Sequence, residues 1–311
     1  MIDYKKYSIL LTVFFLILGG FYIYNNSQIF DYFELLNFKI IIYLLVVKFI
    51  TLFLNALFNK DLMKAFEIDL NINESFYLAS MTYIGNLLLP GRLGGSLRLV
   101  YLKKKYNLQS IYLLNIFIYF FVVSIFINAF FGTLSLFIVA DSYNLNFFIW
   151  LIIFSFSFGV SFYLLFTKFK LNKTNTNINL MKKLYNIFET AKEGWMKITE
   201  YKNLNRRLII LYVINYFFFF VEIMLIFNIF SFAKGLLNII FYNSISVFSN
   251  LIGLTPGAIG IKESLLIFSL DIISLDLNQL FVVAIVERLI AILFALIPFL
   301  YLFLFNKKQN K

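Results

Sequence analysis

Asn86-Leu87-Leu88-Leu89-Pro90-Gly91-Arg92-Leu93-Gly94 and, further on, Asn250-Leu251-Ile252-Gly253-Leu254-Thr255-Pro256-Gly257-Ala258-Ile259-Gly260 are two versions of one pattern. Pro-Gly-x-x-Gly occurs in both, 166 residues apart, each time inside a long apolar stretch. An Asn stands upstream of each copy, and charge follows: Arg98 in the first, Lys262 and Glu263 in the second. Proline removes a backbone donor and glycine allows backbone that side chains forbid, so each copy should interrupt a helix. Pro-Gly marks turns in many proteins, but this chain has only three prolines and two of them stand at this spacing. Interrupted hydrophobic segments in corresponding places of two chain halves point to the substrate site of a repeat-built membrane transporter.

Composition fixes the solvent. The chain is 61% hydrophobic and 14% charged, where a soluble domain carries about a quarter charged residues, so this one belongs in lipid. It has no cysteine and no histidine. Disulfides, thiolate chemistry, the usual general base and the commonest metal ligands are therefore all missing. No metal site or cofactor is expected, and catalysis is disfavoured. The net charge of +11 does not point to nucleic acid, because the basic residues fall between apolar spans rather than on one face.

Six stretches have roughly the twenty apolar residues needed to cross a bilayer: about 8–24, 37–58, 110–139, 146–167, 207–231 and 279–305. Two more, about 75–102 and 236–271, hold the Pro-Gly elements in their middles. Each reads as a pair of short crossings or a re-entrant hairpin, and so adds an even number of crossings. The first span follows Lys5 and Lys6 but lacks a small-residue cleavage site, which reads as a retained anchor rather than a signal peptide. With a cytoplasmic N-terminus, Lys60, Lys64, Lys103–Lys105, the cluster from Lys168 to Arg207, and Lys307, Lys308 and Lys311 all fall inside. Asp31, Glu34, Asp141, Asp271 and Asp276 fall outside, against only Lys39 and Lys234. That is the positive-inside bias, and it predicts a multi-pass inner-membrane protein with both termini cytoplasmic.

The fold class expected is an all-α polytopic bundle forming one transmembrane domain over 1–311. Repeat one runs over about 37–139 and repeat two over about 207–305. Span 37–58 and its equivalent 207–231 run in opposite senses, so the repeats are antiparallel and inverted, and the hairpins open from opposite sides. Segment 168–206 is a cytoplasmic connector. Within it Leu184, Phe188, Ala191, Trp195 and Ile198 recur at helical spacing among lysines, which suits an amphipathic helix on an anionic surface or an ordinary solvated connector.

Arg92 and Arg98 after the first break, and Lys262 after the second, can bind a phosphate-bearing ligand, with the arginines forking two hydrogen bonds onto it. Backbone N–H groups at Gly91, Gly94, Gly257 and Gly260 would line such a site. Asn86 and Asn250 can cap the broken helices or touch the ligand. Glu263, Glu287 and Arg288 either meet it or pair with other spans. Glu287 and Arg288 point about 100° apart on a helix and cannot pair with each other. Lys48 and Glu222 are lone mid-span charges in equivalent spans of the two repeats; they are candidates to pair with each other, or Glu222 to carry a proton if transport is ion-coupled.

Asn86-x3-Pro90-Gly91-Arg92-x-Gly94-Gly95-x2-Arg98, then Thr255-Pro256-Gly257-Ala258-Ile259-Gly260-Ile261-Lys262-Glu263, then Glu287-Arg288 resemble the flippase-like transmembrane family. This is the membrane module of lysylphosphatidylglycerol synthases (multiple peptide resistance factors), and the resemblance covers about 37–305. Ala258 replaces a glycine usual in the second motif. The first half has no acidic-basic dyad near Tyr119–Phe121 to match Glu287-Arg288, so the halves are not functionally equivalent. The resemblance implies translocation of an anionic phospholipid or a lipid-linked sugar, without aminoacyl transfer because these 311 residues hold no synthase domain. The rival reading is a membrane glycosyltransferase or an obligate subunit of a cell-envelope glycan system. Partners expected are the lipid headgroup, the bilayer, and a glycan-assembly or lipid-modifying enzyme.

The topology has a direct test in a chain free of cysteine. A cysteine placed at Asn144 is expected to react with an impermeant thiol reagent from outside the cell, and one at Asn175 only after permeabilisation. Reversed labelling refutes the orientation.

Overall fold

The computed structural model describes residues 4–89, 93–138, 145–167, 179–232, 235–253 and 255–309. Pro90, Gly91 and Arg92 lie outside the described residues. Among the described residues every regular element is helical, as expected where each backbone polar group must be satisfied within its own segment. Helix α1 (Tyr4–Asn25) bends by 86° into a 3-10 turn, Ser27–Leu35. Helix α2 (Phe38–Lys64) follows, then the pair α3 (Ile72–Leu88) and α4 (Leu93–Tyr106). Next come α5 (Ser110–Ile138), α6 (Leu145–Phe166), α7 (Asn179–Thr199) and α8 (Lys202–Ile229). The second broken region is α9 (Leu236–Ile252), a 3-10 turn at Pro256–Ala258, α10 (Ile261–Ile267) and α11 (Leu270–Ile273), before α12 (Leu277–Gln309). α2, α5, α6, α8 and α12 are each long and apolar enough to cross a bilayer, and α1 with its bent extension makes a sixth. The protein is an all-α, multi-pass membrane protein.

Local sequence sets the helix ends. Asn37 and Asn71 cap α2 and α3 by accepting the N–H of Ile40 and Glu74, at 3.0 and 2.8 Å. Gly253 ends α9 with left-handed backbone (φ 48°), a conformation glycine adopts without a Cβ clash.

Helices α2 and α8 lie antiparallel, and polar pairs mark their register: Lys48 with Glu222 at 2.8 Å, Asn215 with Asn55 at 3.1 Å, Arg207 with Asp61 at 2.6 Å. The two broken regions open at opposite ends of this pair. The first is closed at its base by the buried Glu74 carboxylate, which accepts from Tyr101, Lys105 and Tyr106. Burial, and then the Glu74 carboxylate, push the Tyr106 phenol up to about 12, so it remains a donor at neutral pH. Asn238 closes the base of the second by donating to the carbonyl of Ile272 at 2.7 Å. One apolar core, around Trp150, Phe154, Phe227 and Phe241, lies toward one end of the bundle. Another, around Phe58, Tyr119, Trp195 and Tyr212, lies toward the other.

The C-terminal half of helix α7 docks on the bundle. Trp195 and Ile198 are buried in the second core, Asn115 of α5 donates to the Ala191 carbonyl, and the Trp195 indole donates to the Leu164 carbonyl. The C-terminal half of the apolar stripe is docked on protein, and side chains of Leu184 and Phe188 lie outside the described residues.

The α3–α4 hairpin depends on glycine at one contact. A Cβ on Gly94 would lie 2.3 Å from the Thr82 carbonyl oxygen, and one on Gly85 would lie 2.4 Å from the Gly94 Cα. Gly94→Ala is therefore expected to cost about 1–3 kcal/mol as overpacking. Gly159 of α6 has nothing within 4 Å of its Cβ position, so Gly159→Ala is expected to leave stability unchanged or raise it by up to about 1 kcal/mol. Melting temperatures of the two purified variants in one detergent test the contrast.

Candidate functional site

The sequence places Lys262 and Glu263 directly after the second break, and Glu287 and Arg288 next to each other on α12, about 100° apart around the helix. Folding pairs them crosswise. Lys262 bonds to Glu287, and Arg288 bonds to Glu263 through Nη2 at 2.5 Å and Nε at 3.2 Å. This quartet is the centre of the candidate site.

Two members also hold the broken backbone, and the other two meet Tyr242. Gly257 and Gly260 both adopt positive φ, 57° and 82°, and so lie outside helical pairing. Arg288 Nη1 donates to the Gly257 carbonyl at 3.3 Å. Glu263 accepts the Gly260 N–H at 2.7 Å, which caps α10. The Tyr242 hydroxyl of α9 donates to Glu287 at 2.9 Å, and the Lys262 ammonium sits 5.6 Å from the Tyr242 ring centroid. The Gly257 carbonyl and the Gly260 N–H of the break are thus satisfied by side chains of α12 and α10.

The two broken elements meet. A Cβ at Gly257 would lie 4.0 Å from the Leu87 carbonyl oxygen, close to the end of α3. Asn86 and Asn250 occupy matching places, each two residues before its helix ends. Asn86 caps nothing, for its Oδ1 is buried without a hydrogen-bond partner. Gly94 packs against Asn86, since a Cβ on Gly94 would lie 2.7 Å from Asn86 Oδ1.

Arg98 stands apart from the quartet. It is 4% exposed, donates from Nη1 to Asn59, and lies over the Phe120 ring with 6.0 Å from its carbon to the centroid. Its Nε has no hydrogen-bond partner, and no carboxylate among the described residues pairs with it. Arg92 and Gly91 fall outside the described residues.

Three contributors escaped the sequence reading. Tyr242 gave no signal among 20 tyrosines. Asn59 was legible, because Lys48, Thr51, Asn55 and Asn59 recur at helical spacing along α2 and form a polar stripe. Phe15 of α1 lies so close to Gly260 that a Cβ there would overlap its ring at 1.9 Å. With Tyr22, which donates to Asn278 at 2.7 Å and stacks on Phe281, it holds α1 against the second broken region.

A family model described as Lysylphosphatidylglycerol synthase TM region matches residues 7–298. No curated protein and no solved structure matches the chain significantly.

Removing one partner of a buried ion pair leaves the other charge uncompensated, at a cost of about 3–5 kcal/mol. Glu287→Gln is therefore expected to lower the melting temperature sharply by stranding Lys262. The double variant Lys262→Gln with Glu287→Gln is expected to recover most of the loss. Additive losses across the cycle show that the pair is not coupled.

Proposed function

The chain belongs to the lysylphosphatidylglycerol synthase transmembrane family, and on that premise we propose that it translocates an anionic phospholipid or lipid-linked saccharide between leaflets. The bilayer concerned is the cytoplasmic membrane, with both termini on the cytoplasmic side, where the positive-inside bias puts them.

The observation that carries this reading is Arg98. A charge in the hydrocarbon core costs about 2.5–3.5 kcal/mol on insertion scales. The quartet answers that cost internally, since Lys262, Glu263, Glu287 and Arg288 neutralise one another. Among the described residues Arg98 has one neutral partner, Asn59, and a ring face. A buried guanidinium with donors to spare suits an anion, and its planar fork matches two oxygens of a phosphate. The surrounding elements supply what a moving headgroup needs. Arg98 lies on the shorter arm of the first hairpin, next to the polar stripe of α2, and the stripe leads along the α2–α8 contact toward the quartet. The quartet then acts as the brace of the second break rather than as a ligand set. Arg92, Gly91, Gly94, Gly257 and Gly260 remain proposed walls of the path, and the inverted repeat is the proposed symmetry of its two ends.

Arg98→Ala removes a charged hydrogen bond of about 1.5–3 kcal/mol. The expected loss of affinity for a short-chain phosphatidylglycerol is roughly ten- to a hundredfold, with Arg98→Lys recovering only part of it. Binding measured by calorimetry on variants matched for melting temperature tests this. Unchanged affinity in Arg98→Ala refutes the phosphate-site reading.

A further inference from the structure

Among the described residues Glu222 is a deeply buried anion with little compensation. It is 1% exposed on α8, its carboxylate meets Lys48 at 2.8 Å, and its Oε2 has no hydrogen-bond partner. The two half-buried carboxylates of the region are better held. Glu263 accepts from Arg288 and from the Gly260 N–H, and Glu287 from Lys262 and Tyr242. Among the described residues Glu222 depends on one cation, Lys48.

That cation has few other holds among the described residues. Lys48 is a point charge on a flexible stem, and besides Glu222 it has the face of Phe219, 5.8 Å from the ring centroid. It heads the polar stripe whose other end is Asn59, the partner of Arg98. Eleven residues of helix separate Lys48 from Asn59, about 16 Å along the axis. A headgroup leaving Arg98 along the stripe therefore meets Lys48 as its next cation. Once Lys48 turns to a phosphate, Glu222 has no counter-charge, and an isolated carboxylate at that depth takes up a proton rather than stay ionised. The other titratable or charged groups facing Glu222 are Tyr83 of α3, Lys262 of α10 and Glu287 of α12. Tyr83 donates to the Ala291 carbonyl, and Lys262 and Glu287 neutralise each other, so none of them replaces Lys48.

We propose that Glu222 is a proton site coupled to headgroup movement, ionised while Lys48 is paired with it and protonated when an anionic headgroup draws Lys48 away. One proton then travels with each headgroup in the same direction. The proposal rests on the translocation reading above. It makes transport of a monoanionic lipid electroneutral and lets a pH gradient drive it.

The test uses the full chain in phosphatidylcholine vesicles carrying a trace of fluorescent phosphatidylglycerol, with leaflet distribution read by an impermeant quencher. Under a gradient of one pH unit, one-to-one coupling is expected to gather the lipid in the leaflet facing the alkaline side, at a ratio of about tenfold. Glu222→Gln is expected to exchange the lipid while its ratio stays near one. If the wild type exchanges lipid but the gradient leaves the ratio near one, the coupling is wrong and the translocation reading stands. No exchange above protein-free vesicles overturns both. A Glu222→Gln protein that keeps the gradient-driven ratio overturns the assignment to Glu222. Should that variant not survive purification, the wild-type ratio decides the coupling, and Lys48→Gln, expected to lose the ratio, decides the site.

Discussion

A helix interrupted inside an apolar bundle leaves backbone groups that the helix itself cannot satisfy, and the rest of this structure is arranged around two broken regions. At Gly257 and Gly260 the backbone turns left-handed, and the freed carbonyl and N–H are taken by Arg288 and Glu263. Those side chains carry charge into an apolar interior, which creates a second need. It is met by crossing the two dyads, so that each cation faces an anion from another helix. The first break is handled differently. There Gly85 and Gly94 bring α3 and α4 into contact so close that a Cβ on either would overlap the other arm.

The α2–α8 contact plays a complementary part. Most helix pairs here meet through aromatic and branched apolar side chains, which lipid can imitate and which therefore specify little. Along α2 and α8 the contact is instead a ladder of polar pairs from Lys48–Glu222 through Asn55–Asn215 to Asp61–Arg207. Polar pairs inside a membrane fix register, because a shift of one residue would leave several groups without partners. They also place a hydrophilic line between the two apolar cores, which is the physical basis for reading the centre of the bundle as a route rather than as packing alone.

Helix α1 is tied to the bundle along one face only. Phe15 against Gly260 and Tyr22 against Asn278 and Phe281 are its anchors, and most of its remaining apolar side chains are exposed. The glycine that lets the second break turn also makes the room for Phe15, so one missing Cβ serves two contacts.

The amino-acid sequence by itself determined the class, the crossing helices and the places where helices break. Those follow from local quantities: the length of an apolar run, the rarity of proline, the side on which lysines fall. It also exposed the charges of the candidate site, and helix geometry alone barred Glu287 from pairing with Arg288. Which charge meets which was decided only by the tertiary structure. Lys262 and Glu287 are 25 residues apart and Lys48 and Glu222 far more, and a charge's partner depends on which helices are neighbours, a long-range property with no periodic trace in the chain. The same reason explains Arg98. Its sequence context matched Lys262, yet folding gave Lys262 a carboxylate and left Arg98 with an amide and an aromatic ring.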